Sequence, residues 1–228
     1  MRVSALRPSS VAAVALLGAC RLAPSPEEAY AAMARAPEIA VVDTVSSLGP
    51  LAVVPRIVGL RELVAWHGHP CDGLVAAAVG LAYGLPRLFP DGPVDRTDLC
   101  AATNRSACYG DVAAFLTGAR HRYGSLTIDP ELGDEWILHR RSTGTTLRVR
   151  LRPGFKPAEL PGLEAQLRAA ACPPELMARV EALQDGFSRR LLAEEPGELF
   201  ELEFLGAFPY PLGEVRPDTV KRGCPAAR

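Results

Sequence analysis

Three features of this 228-residue chain predict an α/β (α+β) fold with a mixed sheet. Residues 136–140 and 145–151 read as strands flanking Arg141-Ser142-Thr143-Gly144, a hairpin turn with glycine at the permissive position. Residues 71–83 are a run of small and apolar side chains, the composition of a closely packed buried helix, which Gly84 and Pro86 would end. Residues 161–170 and 174–192 carry helical periodicity beyond the sheet region. The length suffices for one domain with a substantial core.

Taken in order, Ser25, Pro26 and Glu28 form a helix start with a cap, a proline at the first helical position and a capping box. That helix is expected to run to about residue 35. A strand follows over 39–45, then an apolar but undefined stretch over 49–60, and residues 60–66 lead into a histidine segment. Further strands are expected over 99–103 and 125–128, with a helix over 107–116 stopped by Gly118. Pro153-Gly154 closes the sheet region, and residues 198–204 return to strand. After Phe208 the prolines at 209, 211, 217 and 225 predict an irregular tail. The expected organisation is a leader over 1–20, an N-terminal extension over 21–59, a core over 60–151 and a helical C-terminal extension over 152–228.

The leader is expected from Arg2 and Arg7, the apolar residues 11–17, and Leu17-Gly18-Ala19-Cys20, which resembles a bacterial lipobox. The apolar run is too short to span a bilayer. This predicts lipidation at Cys20 and a lipid-anchored protein of the cell envelope or periplasm. Cleavage with release to the outside and retention of the segment are the alternatives. Of the six cysteines, removing Cys20 leaves an odd number, so at least one thiol stays free, binds a metal or pairs with another chain. Cys172 and Cys224 form a disulfide on one reading, in an oxidising compartment. Cys100 lies in an apolar strand-like run and reads as a small buried residue.

The formal net charge of -1 gives no electrostatic draw to nucleic acid. Arg140, Arg141, Arg148, Arg150 and Arg152 form a basic stretch. The last three alternate along a strand and share one solvated face, with an anion-binding surface as the second reading. The chain contains no glycine-rich nucleotide loop, no Gly-x-Ser-x-Gly elbow and no His-Glu-x-x-His helix.

The chemistry concentrates at His67-Gly68-His69-Pro70-Cys71, which holds two of the four histidines. Imidazole and thiolate both suit borderline-soft divalent metals such as zinc. In an extended backbone positions 67, 69 and 71 point the same way, so three donors can converge on one ion. The competing reading makes His67 a capping or core residue and Cys71 an inert thiol. Cys108 falls at the start of a helix, where the helix field favours thiolate. Asp111, three residues on, shares that helical face as a ligand, as a hydrogen-bond partner holding a histidine, or as an ordinary first-turn carboxylate.

On these residues, the stretch from Glu62 to Val149 resembles the FmdE-like domain family of formylmethanofuran dehydrogenase. That family opens with His-Gly-His-x-Cys-Pro-Gly, here His67-Gly68-His69-Pro70-Cys71-Asp72-Gly73. Its Cys-x-x-Asp helix ending in Thr-Gly corresponds to Cys108, Asp111 and Thr117-Gly118. The following glycine turn and Asn-Leu correspond to Gly124 and Ser125-Leu126, and its Arg-x-Thr-Gly hairpin to Arg141-Ser142-Thr143-Gly144. The resemblance implies metal or active-site groups at His67, His69, Cys71 and Cys108. The chain departs from the family at Asp72 for proline, Asn104 for glutamate and Ala119 for cysteine, and lacks the C-terminal zinc module of several members. His121, near the altered turn, is a compensating ligand on one reading and a structural or partly exposed histidine on the other.

Formylmethanofuran chemistry belongs to a multi-subunit system with a molybdenum or tungsten cofactor, in which a lone domain behind a lipobox is not expected to take part. Three function classes follow. The first is an extracytoplasmic protein that binds a divalent ion, zinc before copper or nickel, or a metal-bound small molecule. The second is a metal- or thiol-dependent enzyme with a small-molecule substrate, and the third is a structural or interaction module. Homo-oligomerisation is compatible with each.

Overall fold

The computed structural model describes residues 25–44, 54–169 and 173–213. The leader with Cys20, both Cys172 and Cys224, and the end of the proline-rich tail lie outside the described residues. Among the described residues no helix is long and apolar enough to cross a membrane.

The run of small residues forms helix α3 (Asp72–Gly84), and every residue from Leu74 to Leu81 is buried. A helix apolar all round has no face to offer solvent, so it must be covered on every side. Helices α4 (Ala107–Thr117) and α6 (Pro174–Ala193) and strand β7 (Thr145–Leu151) pack around it. Two glycines allow the helix to lie close to the sheet. A Cβ on Gly80 would stand 2.8 Å from the Phe200 ring, and one on Gly84 would collide with the Val149 side chain.

The five-stranded sheet has the order β5 (Leu126–Ile128), β4 (Leu99–Thr103), β6 (Glu135–Arg140), β7 and β8 (Phe200–Leu205). β4 and β5 are parallel and the other pairs antiparallel. A second mixed sheet joins β2 (Arg56–Gly59), β1 (Glu38–Val42) and β3 (Val94–Asp95). Alternation along β7 buries Leu147, Val149 and Leu151 and turns Arg148 and Arg150 outward, with Arg152 just beyond. These arginines meet Glu203, Glu135 and Glu201 at 2.7, 2.5 and 2.8 Å respectively. Pairs of this kind contribute at most about 1 kcal/mol each. They neutralise much of the charge of the stripe.

Several elements differ from expectation. Helix α1 (Pro26–Ala31) has its full capping box but stops before residue 35, with its C-cap at Ala32. β1 begins and ends earlier than expected, and β2 emerges from the undefined apolar stretch as its antiparallel partner. A single turn, α7 (Pro196–Leu199), precedes β8. The core is continuous across position 152, since Phe187, Leu191, Leu192, Leu199 and Phe200 join the cluster built on α3 and β7. Helix α5 (Leu160–Ala169) forms a hairpin with α6 over a small cluster of Leu160, Leu163 and Val180.

The packing predicts opposite effects at two helical glycines. Gly84→Val drives branched carbons into Val149 and Leu147 and should destabilise by about 3 kcal/mol, at the upper end of overpacking costs. Gly186→Ala, in exposed α6 with nothing near the added methyl, should stabilise by about 0.5–1 kcal/mol. Urea midpoints measure both, and a Gly84→Val midpoint equal to the native one contradicts the packing described.

Candidate metal and thiol site

Helix α2 (Leu60–His67) ends on the first histidine of the segment. Gly68 follows with φ 102°, and its N–H is bonded to the Val64 carbonyl at 2.7 Å. Only glycine adopts that backbone without strain, so it ends α2 and turns the chain toward α3. Cys71 is the N-cap of α3, its sulfur accepting a hydrogen bond from the Leu74 N–H at 3.4 Å. The segment is therefore a helix–glycine–helix turn and not the extended strand that alternation implies. It still brings donor atoms of His67, His69 and Cys71 within 4.8 Å of one another.

Cys108 arrives from the first turn of α4, whose N-cap is Ser106. Its sulfur lies 3.1 Å from that of Cys71, which donates the hydrogen bond. Gly73 allows this approach, because a Cβ there would stand 3.0 Å from the Cys108 Cβ and 3.2 Å from its sulfur. His67 Nε2 is 3.7 Å from the Cys71 sulfur, while Nδ1 lies 2.8 Å from Asp111 Oδ2. Of the three roles open to Asp111, the geometry selects the carboxylate that orients a histidine. With Nδ1 bound to Asp111, Nε2 is turned toward the sulfurs.

The hydrogen bond between the two thiols shifts them in opposite directions. Cys108 is drawn down to about 5, chiefly by the hydrogen bond from Cys71, with His67 and Ser106 helping and burial opposing. Cys71 is pushed up by the same hydrogen bond and then by burial. For His67, burial opposes the charged ring, but Asp111 and Cys108 outweigh it and raise its pKa. His69 is exposed, its ring 4.6 Å from that of His67. His121 falls in a 3₁₀ turn (His121–Tyr123) beyond the far end of α4. That helix has 11 residues and is about 16 Å long. His121 is therefore not part of the group gathered at the start of α4.

A cavity of about 560 Å³ opens beside the sulfurs. Cys71, Cys108 and His69 lie on its inner wall, and the α5–α6 hairpin supplies the outer wall with Glu164, Arg168 and Glu181. Asp72 also faces it, only 7% exposed, with burial raising its pKa against the pull of Lys156. Tyr109 lines the same space and donates to Asp134 at 2.8 Å. Burial holds its phenol well above the usual range. Glu164, Arg168, Glu181 and Tyr109 are not signalled by the local sequence, because residues far apart in the chain meet there only through packing. Cys100, by contrast, is the buried strand residue its surroundings predict, accepting from Arg141 at 3.5 Å.

A family model described as FmdE, Molybdenum formylmethanofuran dehydrogenase operon, matches residues 66–201. The chain belongs to the FmdE family. The FmdE match begins one residue before His67 and runs into β8, so it takes in the sulfur pair and the hairpin wall together. Among solved structures the chain is similar to a tungsten formylmethanofuran dehydrogenase FmdE-like protein from Syntrophus aciditrophicus. The two are 19% identical over 66% of this chain and 71% of that one, with a TM-score of 0.41. No curated protein matches.

Proposed function

We propose that this FmdE-family protein is a metal-centred enzyme acting on a small molecule held in the cavity beside Cys71 and Cys108. In this reading His67, His69, Cys71 and Cys108 bind one divalent ion, and the substrate enters between them and the α5–α6 hairpin. The observation that carries it is the opening of the donor cluster onto a cavity of about 560 Å³, a size suited to small-molecule ligands.

The donor set fits zinc, which accepts imidazole and thiolate together. When bound, such an ion supplies Lewis acidity and an activated water. The chain's own residues do the rest. Asp111 fixes the ring of His67, and the hydrogen bond from Cys71 favours the ionised form of Cys108. Asp72 offers a buried carboxyl to the substrate, and Asp134 locks the Tyr109 hydroxyl on the cavity wall. His69, the exposed member of the donor set lining the cavity, is the donor best placed to yield its position to a substrate.

A second reading is a carrier or storage site, favoured by the count of donors, since two imidazoles and two sulfurs fill a tetrahedral shell. Substituting cobalt and adding acetohydroxamate, a general metal-binding probe, separates the two. The enzyme reading expects a saturable change in the visible spectrum, and the carrier reading expects none.

Metal analysis of reduced, purified protein should give one ion per chain. Cys71→Ala and Cys108→Ala should each lose most of it, while Cys100→Ala should keep it. Asp111→Ala should weaken affinity by about 10–100-fold. Full occupancy in both Cys71→Ala and Cys108→Ala removes the site.

We also propose that the protein works outside the cytoplasm, anchored through Cys20, on the support of the Leu17-Gly18-Ala19-Cys20 pattern. The mass of membrane-extracted protein should lack residues 1–19 and carry added acyl groups. Intact Met1 in soluble cytoplasmic protein rejects export.

A further inference from the structure

We propose that Cys71 and Cys108 of the metal-free protein are a dithiol–disulfide couple that exchanges with small-molecule disulfides admitted by the cavity. Binding of an ion is a separate property of the same sulfurs, and this inference does not need it.

The separation of the sulfurs is the first support. At 3.1 Å they are about 1 Å from disulfide bonding distance, which is ~2.05 Å. A zinc ion bonded to both at ~2.3 Å would hold them roughly 3.8 Å apart. The pair lies between the two spacings, already in contact, so a movement of about 1 Å closes the disulfide. The second support is the absence of a side chain at Gly73, where a Cβ would press on both the Cβ and the sulfur of Cys108. Access is the third. Both cysteines are partly exposed and line the cavity, so a small reactant reaches them. Cys100 meets none of these conditions, being 1% exposed and held by Arg141.

The exchange runs in two balanced steps. The Cys108 sulfur, which accepts the hydrogen bond from Cys71, attacks one sulfur of R–S–S–R. A Cys108–S–S–R bond forms, the R–S–S–R bond breaks, and RS⁻ leaves. The Cys71 sulfur then attacks the Cys108 sulfur and displaces the second RS⁻. The proton of Cys71 leaves on one of the two thiols. Two protein sulfurs are oxidised to a disulfide and one small disulfide is reduced to two thiols. A bound ion occupies the same sulfur lone pairs, so metal loading and exchange exclude each other.

The test uses the reduced, metal-free full chain with oxidised glutathione as the probe. Peptide mapping should show a Cys71–Cys108 linkage that dithiothreitol reverses. Cys71→Ser should stop with one glutathione bound to Cys108, because the resolving sulfur is gone. Preloading with zinc should slow the reaction at least about tenfold. The wild-type map requires no variant to fold. If glutathione stays attached to the wild type without an internal linkage, or if Cys71 and Cys108 remain reduced, the couple does not exist. Failure to bind zinc would instead count against the metal reading and leave this one standing.

Discussion

Helices α3 and α4 begin within touching distance of each other, and the glycine at position 73 is what lets them do so. α3 has no freedom to retreat, because α4, α6 and β7 cover it and its residues from Leu74 to Leu81 are buried. Close packing of this kind transmits position faithfully, since interiors carry few voids into which a helix can shift. The placement of Cys71 against Cys108 is therefore a consequence of the whole core. The sheet contributes through Val149 and Phe200, against which Gly84 and Gly80 bring α3 to rest.

That contact also settles the electrostatics. Two thiols brought to 3.1 Å in a half-buried setting oppose each other's ionisation. The hydrogen bond from Cys71 draws the Cys108 thiol down and pushes that of Cys71 up, with His67 beside Cys108 at the first turn of α4. Asp111, one turn further along the same helix, takes the other side of the His67 ring. Two thiols and an oriented imidazole are thus gathered at two helix starts. The cavity then decides what reaches them, and its outer wall is the α5–α6 hairpin.

Much of this arrangement is legible in the sequence because its signals are local. Gly118 ends α4, the small-residue run marks α3, and Gly144 marks the β6–β7 turn, each through short-range backbone chemistry. The histidine segment is legible in composition but not in conformation. Alternation over 67, 69 and 71 suggests an extended strand, whereas Gly68 at φ 102° makes a turn between two helices. The role of Asp111 is undetermined by spacing alone, because all three of its readings share one helical face and only the 2.8 Å distance to His67 separates them. The outer wall of the cavity is not legible at all. Asp72 faces Lys156 and Glu164 across a long sequence separation, and no periodicity records that meeting.

The central claim is that one ion is held jointly by the sulfurs of Cys71 and Cys108 and by imidazole nitrogen. X-ray absorption at the metal edge of zinc-loaded protein tests it most directly. The account predicts a mixed shell, with two sulfurs at about 2.3 Å and two nitrogens at about 2.0–2.1 Å. A shell containing only nitrogen and oxygen, or a single sulfur, contradicts it.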